Sequence, residues 1–282
     1  EIQPKSYNWG IIATGSIAGK FSKGLTIAPG ANKYAVASRD RKKAQSFADK
    51  YGFEKAYGSY EELLADPHIE IVYIATPHPL HAENTIAALK AKKAVLCEKP
   101  FAAHSASAKE MVKVARENKC LLVEAMWTRF LPAIQKAKEL VEQGEIGNLR
   151  MITGDFGYRT DRNPEGRLFD PAACGGGLMD VGIYPISLAS MIFQEQPDQI
   201  QALAEIGTTL IDEQSAYLFR YADGKMAVLY SAIRTQTPTE AVIMGTTGRI
   251  RIHSPFFKAD TISLIKDSGE TVMEMPYPGN GY

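Results

Sequence analysis

Residues 9–18 read WGIIATGSIA, an apolar run that leads through a glycine into small residues. The run Trp9–Ala13 predicts a buried strand, and Gly15 predicts a turn into a helix whose N-terminus can hold a pyrophosphate. Ala13 stands where this type of fingerprint has its first glycine, so the motif alone also allows a plain turn at Gly15. The candidate cofactor-binding residues at this turn are Thr14, Gly15, Ser16 and Ile17.

The first half of the chain alternates short apolar runs with amphipathic stretches. Near-continuous apolar runs are typical of parallel strands that are buried on both faces. The capping boxes Ser59–Glu62 and Ser107–Glu110 predict helix starts, and Asp66-Pro67 predicts the end of the first of these helices. This alternation predicts βαβ units in a doubly wound parallel sheet. The candidate strands are Trp9–Ala13, Tyr34–Ser38, Ile71–Ala75, Ala94–Cys97 and Leu121–Glu124.

After about Trp127 the pattern changes. From Gln199 onward the sequence predicts antiparallel strands, with turns at Asp223-Gly224 and at Gly245–Gly248. We therefore predict a dinucleotide-binding Rossmann domain over residues 1–127 and an α+β domain with an open, mainly antiparallel sheet over residues 128–282. The other predicted elements are the helices Leu131–Gln143 and Asp180–Phe193, and the strands Leu149–Phe156, Ala216–Tyr221, Lys225–Ser231, Thr239–Met244 and Arg249–His253.

Composition excludes several classes of partner. The 282 residues carry 32 basic and 32 acidic side chains, so the formal net charge is zero, which argues against nucleic acid or an anionic membrane surface. Apolar runs such as Ile71–Ala75 are too short to span a bilayer, and no charged and apolar leader opens the sequence. Cys97, Cys120 and Cys174 are odd in number and widely spaced, as expected of reduced thiols, and we expect a cytoplasmic protein.

The end of the second predicted strand bears on the choice of dinucleotide. NAD-specific sites usually place Asp or Glu there, about 20 residues after the glycine turn, whereas this chain has Ser38-Arg39 and the charged run Asp40–Lys43. Cations at the start of a helix oppose its dipole, and the 2′-phosphate of NADP among them would remove that conflict; a solvated helix end is the other interpretation. We expect NADP, bound by Ser38 and Arg39, with NAD as the alternative that Asp40 would favour.

Two further segments carry candidate catalytic residues. Lys99 follows the strand Ala94–Cys97, where the nicotinamide end of a dinucleotide is expected, and its ammonium can stabilise negative charge on a reacting oxygen. In the second domain, residues 175–184 read GGGLMDVGIY, a glycine loop that leads into a helix. Asp180 and Tyr184 are four apart and are expected on one face of that helix. A first-turn acid and a packed tyrosine would also explain these two residues.

Residues 75–81 read ATPHPLH and follow the strand Ile71–Ala75. His78 and His81 are three apart, but no carboxylate or cysteine set completes a metal site, so no metal is expected. We expect His81 to line the cofactor cleft, and His78 to contact the cofactor or to support the loop. The candidate cofactor-binding residues after the predicted strands Ile71–Ala75 and Ala94–Cys97 are Thr76, Pro77, His78, His81, Glu98 and Lys99.

Together these segments resemble the Gfo/Idh/MocA family of oxidoreductases over nearly the whole chain. The similarity is carried by residues 9–15, 75–81, 97–101 (CEKPF), 124–130 (EAMWTRF) and 175–184. Trp127–Phe130 and Gly182–Pro185 are most similar to the branch of dimeric dihydrodiol dehydrogenases and NADP-linked D-xylose dehydrogenases. Tyr184 stands where the polyol-oxidising members carry histidine, which points away from inositol as the substrate.

The resemblance implies an NADP(H)-dependent oxidoreductase that transfers hydride between the nicotinamide and a CH–OH or C=O carbon of a cyclic sugar, polyol or dihydrodiol. It implies that Tyr184 is the acid–base group, that Lys99 assists it, and that Asp180 lies close by. The implied substrate-binding residues are Trp127, Arg129 and Phe156.

The resemblance also implies a homodimer formed through the open sheet, whose exposed face we expect to carry Leu218, Val228 and Ile243. Family chains normally continue past Tyr282 into further helices, so we expect this sequence to be truncated there. Two other functions are considered: a non-catalytic dinucleotide sensor, and an imine or biliverdin-type reductase on the same scaffold. A sensor would need neither Lys99 nor Tyr184, which favours the enzyme.

Overall fold

A computed structural model of the chain describes residues 5–282 and divides them into two compact units. The first unit runs to Ala125 and includes Pro278–Asn280 and Tyr282, and the second contains Met126–Tyr277 and Gly281. Each unit is built around a sheet of its own, and the two sheets are of different kinds.

The first unit contains a six-stranded sheet in which all paired strands are parallel. The strands are β1 (Tyr7–Ile12), β2 (Ala31–Ala37), β3 (Lys55–Tyr57), β4 (Ile71–Ile74), β5 (Ala94–Cys97) and β6 (Leu122–Glu124). Their order is β3-β2-β1-β4-β5-β6, so the chain builds outward from β1 and then crosses to β4 on the other side. At such a reversal a doubly wound sheet opens a crevice at the carboxyl ends of its strands.

Helices cover both faces of this sheet because its strands are apolar on both sides. Neighbouring residues of one strand enter opposite buried clusters: Ile11 and Tyr73 lie in one, and Ile12 and Ile74 lie in the other. This arrangement confirms the predicted doubly wound fold class. The helices are α1 (Ser16–Leu25), α2 (Arg41–Tyr51), α3 (Tyr60–Ala65), α4 (His81–Lys90) and α5 (Ser105–Asn118).

The two predicted capping boxes have different outcomes. Ser59 Oγ accepts a hydrogen bond from Glu62 N at 3.1 Å, and α3 begins directly after Ser59, as predicted. Helix α5 instead begins after His104, so the helix start predicted at Ser107 is wrong. The reason is that His104 is the extended residue before the helix, whereas Ser107 already lies inside the first turn, and a cap requires a non-helical backbone.

The second unit contains an eight-stranded sheet in which β7 and β10 run parallel and the other described pairs are antiparallel. The strands are β7 (Leu149–Gly157), β8 (Gln199–Ile206), β9 (Asp212–Arg220), β10 (Met226–Ala232), β11 (Ala241–Gly245), β12 (Arg249–Ile252), β13 (Thr261–Lys266) and β14 (Gly269–Glu274). Their order is β14-β13-β12-β11-β7-β10-β9-β8. This sheet confirms the predicted open, mainly antiparallel architecture.

Short turns set the register of four of these strands. Asp223 and Gly224, between β9 and β10, have φ angles of 60° and 75°, a left-handed backbone that Asp and Gly tolerate better than most residues. Strands β11 and β12 pair on either side of the Gly245–Gly248 turn. Both predicted hairpins are therefore confirmed.

Two helices, α6 (Pro132–Glu142) and α7 (Ile183–Phe193), contact one face of the second sheet. Ile243 belongs to this covered face: it is fully buried and pairs directly with the buried Ile152 and Ile250. The prediction that Ile243 lies on the open face is wrong, because side chains alternate along a strand. Its neighbours Val242 and Met244 take the open face instead.

The segment Pro171–Phe193, which ends with α7, is long and apolar enough to cross a membrane by length and composition alone. It is longer than the apolar runs recognised in the sequence. However, 61% of its most apolar 18-residue stretch is buried inside the structure. Within this segment α7 contacts β7 and β10. A packed core helix meets the same criteria, so this segment is weak evidence for a membrane span.

Candidate active site

The predicted cofactor-binding residues all lie in the first unit, where they follow the carboxyl ends of strands or begin the next helix. Thr14 follows β1, Ser38 follows β2, Thr76 follows β4 and Glu98 follows β5. Because the carboxyl ends of parallel strands share one edge of the sheet, the structure gathers these loops at the crevice beside β1 and β4.

The first of these loops compensates for its missing glycine. Ala13 has a φ angle of 82° and donates its backbone N–H to Ala37 O at 3.0 Å. It thus adopts the left-handed conformation that glycine normally supplies, at a cost of roughly 1–2 kcal/mol. A Cβ at Gly15 would meet nothing within 4 Å, so the backbone before α1 is open to a ligand such as a phosphate.

Asp40 has a structural contact that the sequence did not reveal. Its Oδ1 accepts hydrogen bonds from Lys42 N at 2.9 Å and Lys43 N at 3.3 Å, and its own N–H donates to Ser38 Oγ at 3.3 Å. Asp40 therefore caps α2, and its negative charge offsets the conflict between the helix dipole and the following cations.

A surface depression lies between the start of α1 and helix α2. Its cationic side chains could neutralise a phosphate, and its hydroxyl groups could donate to one. The polar side chains in its lining are Thr14, Ser16, Lys42, Lys43, Ser46, Lys50 and Tyr51.

His81 is fully buried and lies between two loops. Its Nδ1 is 2.8 Å from Pro100 O and its Nε2 is 2.9 Å from Thr76 O. Burial lowers the pKa of His81, and the charge of Lys99 lowers it further. His81 therefore joins the loops after β4 and β5. The ring of His78 is 5.6 Å away, and within residues 5–282 no group of three His, Cys, Asp or Glu could hold a metal ion.

Glu98 is buried, and its carboxylate has partners within the first unit. Its Oε1 accepts a short hydrogen bond from Tyr73 Oη, and its Oε2 accepts one from Lys99 N at 3.1 Å. Burial raises the pKa of Glu98, while the Tyr73 hydrogen bond and the charge of Lys99 oppose that rise. The loop is also fixed at Phe101, whose N–H donates to Glu124 Oε1 at 3.0 Å.

Tyr184 belongs to a buried aromatic cluster in the second unit. Trp127 Nε1 donates to Tyr184 Oη at 3.2 Å, and the ring of Phe156 is 5.3 Å from that of Tyr184. The structure thus brings three predicted site residues together. It adds Phe257, which stacks on Phe156 at 4.2 Å and was missed in the sequence. The pair of phenylalanines at residues 256–257 was the feature of the sequence that could have indicated Phe257.

Asp180 has a different set of partners. Its Oδ2 accepts from Tyr158 Oη and its Oδ1 accepts from an Arg167 N–H, both at 2.9 Å. Burial raises the pKa of Tyr158, and the negative charge of Asp180 raises it further. Leu178–Gly182 forms a π-helical turn before α7. The residues from Asp180 to Tyr184 therefore do not follow the regular α-helical spacing that the sequence predicts. Single π turns are frequent at functional sites.

The carboxylate of Asp212, which is distant in the sequence, packs against the glycine run Gly175–Gly177 before this turn. Asp212 Oδ2 accepts from Leu178 N at 2.7 Å and from Ser215 Oγ at 2.9 Å. A Cβ at Gly176, where φ is 108°, would lie 2.2 Å from Asp212 Oδ1. Gly176 is therefore required by the approach of Asp212, which caps the segment that carries Asp180. No local signal identifies Asp212, because it lies 34 residues beyond Leu178.

Arg129 lines a surface depression with Gln135, Ser190 and Gln194, and its backbone oxygen accepts a hydrogen bond from Gln135 Nε2. A role for Arg129 beside Trp127 and Phe156 in binding substrate stays a prediction.

Comparison with known proteins identifies the family. Residues 7–126 match the oxidoreductase family with an NAD-binding Rossmann fold, and residues 134–251 match the GFO/IDH/MocA C-terminal domain. The chain is 41% identical over 247 residues to trans-1,2-dihydrobenzene-1,2-diol dehydrogenase of Mus musculus, covering 86% of this chain and 74% of the relative. The enzyme of the same name from Xenopus laevis is 36% identical over 272 residues, or 95% and 81% of the two chains.

Solved structures share the fold. A levoglucosan dehydrogenase in complex with NADH and levoglucosan has a TM-score of 0.89 at 24% identity, covering 99% of this chain and 83% of that one. A 3-ketoreductase from Actinomadura kijaniata, in complex with NADP and TDP-benzene, has a TM-score of 0.85 at 23% identity, covering 98% and 86%. The chain belongs to the GFO/IDH/MocA family of oxidoreductases and is an NAD(P)-dependent dehydrogenase.

Proposed function

We propose that this dehydrogenase uses NADP(H) to transfer hydride between the nicotinamide and a CH–OH or C=O carbon of a cyclic sugar, polyol or dihydrodiol. The observation that carries the proposal is the Tyr184 hydroxyl, 3.2 Å from Trp127 Nε1 in a cluster with the rings of Phe156 and Phe257. The aromatic rings can pack against the C–H face of a cyclic alcohol. The phenol of Tyr184 can exchange a proton with the hydroxyl of that alcohol. The names of the mouse and frog relatives favour a dihydrodiol.

When bound, the dinucleotide supplies or accepts the hydride, and residues of the chain move the proton. In the oxidation direction Tyr184 takes the proton of the substrate hydroxyl, and in reduction it returns that proton. An ordinary tyrosine, with a pKa of about 10, is a weak base at neutral pH, and we propose that the ammonium of Lys99 favours the phenolate. Asp180, held by Tyr158 and Arg167, is proposed to orient the substrate hydroxyl or to tune Lys99.

A substrate panel tests this function. Purified protein is assayed with cyclic diols, pyranoses and acyclic polyols, each with NADP and with NAD. We expect kcat/KM to be highest for a cyclic substrate with NADP. Turnover of an imine or a bilin alone would favour the reductase alternative. Tight NADP binding without turnover of any substrate would favour a sensor.

We also propose that NADP is preferred because cations follow the end of β2 and the acid among them, Asp40, has a capping role. Asp40 Oδ1 accepts the N–H groups that begin α2, and this role competes with binding a ribose 2′-hydroxyl. Arg39 is exposed at the start of this segment. Lys42 and Lys43 line the neighbouring depression.

Arg39→Ala is expected to weaken NADP binding by about 1.5–3 kcal/mol, because it removes a charge-assisted hydrogen bond to the 2′-phosphate. NAD binding should change little, since NAD has no phosphate there. Cofactor titration by fluorescence measures both affinities. Arg116→Ala, at an exposed site on α5, is the control. Equal losses for NADP and NAD would show that Arg39 supports the fold and does not select the cofactor.

We propose a homodimer that forms through the open face of the second sheet. Leu218 and Val228 are register partners on this face, and Ala216 pairs with both Tyr230 and Leu203 in the next row. Leu203 is 82% exposed and Leu218 is 42% exposed. An apolar face of this kind usually marks an interface, and a two-fold dimer is its commonest form.

Sedimentation of the full-length protein at micromolar concentration is expected to show a dimer, and Val228→Glu is expected to shift it to a monomer because it places a charge in the apolar face. Asp223→Lys, at the tip of the β9–β10 hairpin, should remain dimeric. A wild-type protein that sediments as a stable monomer would contradict the proposed interface.

We further propose a cytoplasmic location. Cys97 and Cys120 are free thiols, and Cys97 is buried, as is typical of proteins in reducing compartments. Cell fractionation tests this point, and recovery of the protein from a secreted fraction would contradict it.

A further inference from the structure

A buried tyrosine and glutamate lie directly before the lysine proposed to assist catalysis. Tyr73 is 0% exposed and Glu98 is 4% exposed. Tyr73 Oη donates to Glu98 Oε1, and Lys99 N donates to Glu98 Oε2 at 3.1 Å. Each carboxylate oxygen therefore has a donor from the protein, as a carboxylate shielded from water requires.

The Tyr73 hydroxyl is held in place by rigid surroundings. Its ring stacks on Phe21 of α1 with centroids 3.8 Å apart and an interplanar angle of 20°. Its backbone belongs to β4, which pairs with β1 on one side and with β5 on the other. A donor mounted on a central strand fixes its acceptor more tightly than a donor on a loop.

The hydrogen bond from Tyr73 to Glu98 affects the charge of Lys99 because of the groups that surround Glu98. Glu98 is faced by Tyr73 from β4, by Glu124 from β6 and by Tyr282, and its own segment contributes Cys97 and Lys99. Lys99 is the cation in this set, and it also faces His81 of α4, whose pKa its charge lowers. Burial raises the pKa of Glu98, so loss of a donor would favour its neutral form. A neutral Glu98 would no longer stabilise the neighbouring ammonium.

We propose that Tyr73 is a positioning residue that, by donating to Glu98, keeps this carboxylate ionised and so holds Lys99 as an ammonium in a fixed loop. Glu98, which the sequence predicts to contact the cofactor, would then also support Lys99. This role rests on the proposed function of Lys99, but the charge of Lys99 can be measured without turnover.

The test is competitive acetylation of Lys99 Nζ across a range of pH, read by peptide mass spectrometry. Tyr73→Phe keeps the ring that stacks on Phe21 and removes only the hydroxyl. We expect it to lower the pKa of Lys99 by about one unit, and Glu98→Gln to lower it by at least as much. If Tyr73 acts through Glu98, adding Tyr73→Phe to Glu98→Gln should cause little further change.

Tyr57→Phe is the matched control. Tyr57 Oη donates to Asp66 Oδ2 at 2.6 Å, a tyrosine–carboxylate bond at the β3 edge of the same sheet, and its loss should leave the titration of Lys99 unchanged. Unaltered titration in both Tyr73→Phe and Glu98→Gln, or shifts that simply add, would overturn the proposal. If Tyr73→Phe does not fold, unaltered titration in Glu98→Gln alone overturns it. Because acetylation needs no substrate, the titration of Lys99 can be interpreted even if the hydride-transfer assay fails.

Discussion

Tyr184→Phe is expected to lower turnover by roughly 10²–10⁴-fold, the usual contribution of a positioned acid–base group. The variant keeps the ring that contacts Phe156 and Phe257 and loses only the hydroxyl, so NADP affinity and the fold should be preserved. Steady-state kinetics on the best substrate of the panel, together with NADP titration, measure the two quantities separately.

Tyr217→Phe provides a matched control. Tyr217 is also a buried tyrosine of the second unit, and its hydroxyl is 2.8 Å from Ser231 Oγ. This variant loses the same chemical group from a tyrosine that is not proposed to take part in proton transfer, and it should retain turnover. If Tyr184→Phe and Tyr217→Phe behave alike, Tyr184 is a packing residue.

Lys99→Met should reduce turnover at least as strongly, because it keeps the length of the side chain and removes its charge. Since Lys99 and Tyr184 are proposed to act as a unit, the double variant should lose much less than the product of the two single losses. In Lys99→Met the low-pH limb of the oxidation profile should move to higher pH, because the phenolate is no longer favoured by an ammonium. Near wild-type turnover in both single variants would refute the mechanism.

Gly176→Ala is expected to destabilise the protein by about 2–4 kcal/mol, through backbone strain and loss of a helix cap. Its φ angle is 108°, and the added Cβ would lie 2.2 Å from Asp212 Oδ1. Asp212 would then have to move from Leu178 N, which it caps at 2.7 Å. Urea unfolding measures the loss.

Gly224→Ala separates the two causes. Gly224 also has a positive φ, 75°, but a Cβ there would meet nothing within 4 Å. The stability lost in this variant should reflect backbone strain alone, roughly 1–2 kcal/mol. If Gly176→Ala is no more destabilising than Gly224→Ala, the Asp212 contact does not shape this segment.

The features that the sequence predicts correctly depend on neighbours along the chain. The apolar runs that became β1, β4 and β5 are buried on both faces, so their composition alone identifies them. Asp223-Gly224 tolerates positive φ, and the hairpin follows from that pair. The strand Lys55–Tyr57 was missed because it has three residues and lies at the sheet edge, where an apolar run is not required.

The features that could not be predicted depend on contacts between distant residues. Ile243 and Val242 are both apolar, and only the pairing of Ile243 with Ile152 decides which one is buried. Phe257 joins the aromatic cluster because it stacks on Phe156, about a hundred positions earlier in the chain. Asp212 gives no sign in the sequence that it caps the glycine run.

The aromatic cluster and the predicted nucleotide-binding loops belong to separate parts of the chain. Trp127, Phe156, Tyr184 and Phe257 come from four separated segments, and all of them belong to the second unit. The nucleotide loops belong to the first unit. If the cluster binds the substrate as proposed, substitutions at positions 127, 156 and 257 can change substrate recognition, in natural or directed evolution, without touching the residues proposed to bind the coenzyme. A mutant library restricted to these three positions, with Tyr184 retained, is small enough to be screened exhaustively for new substrates.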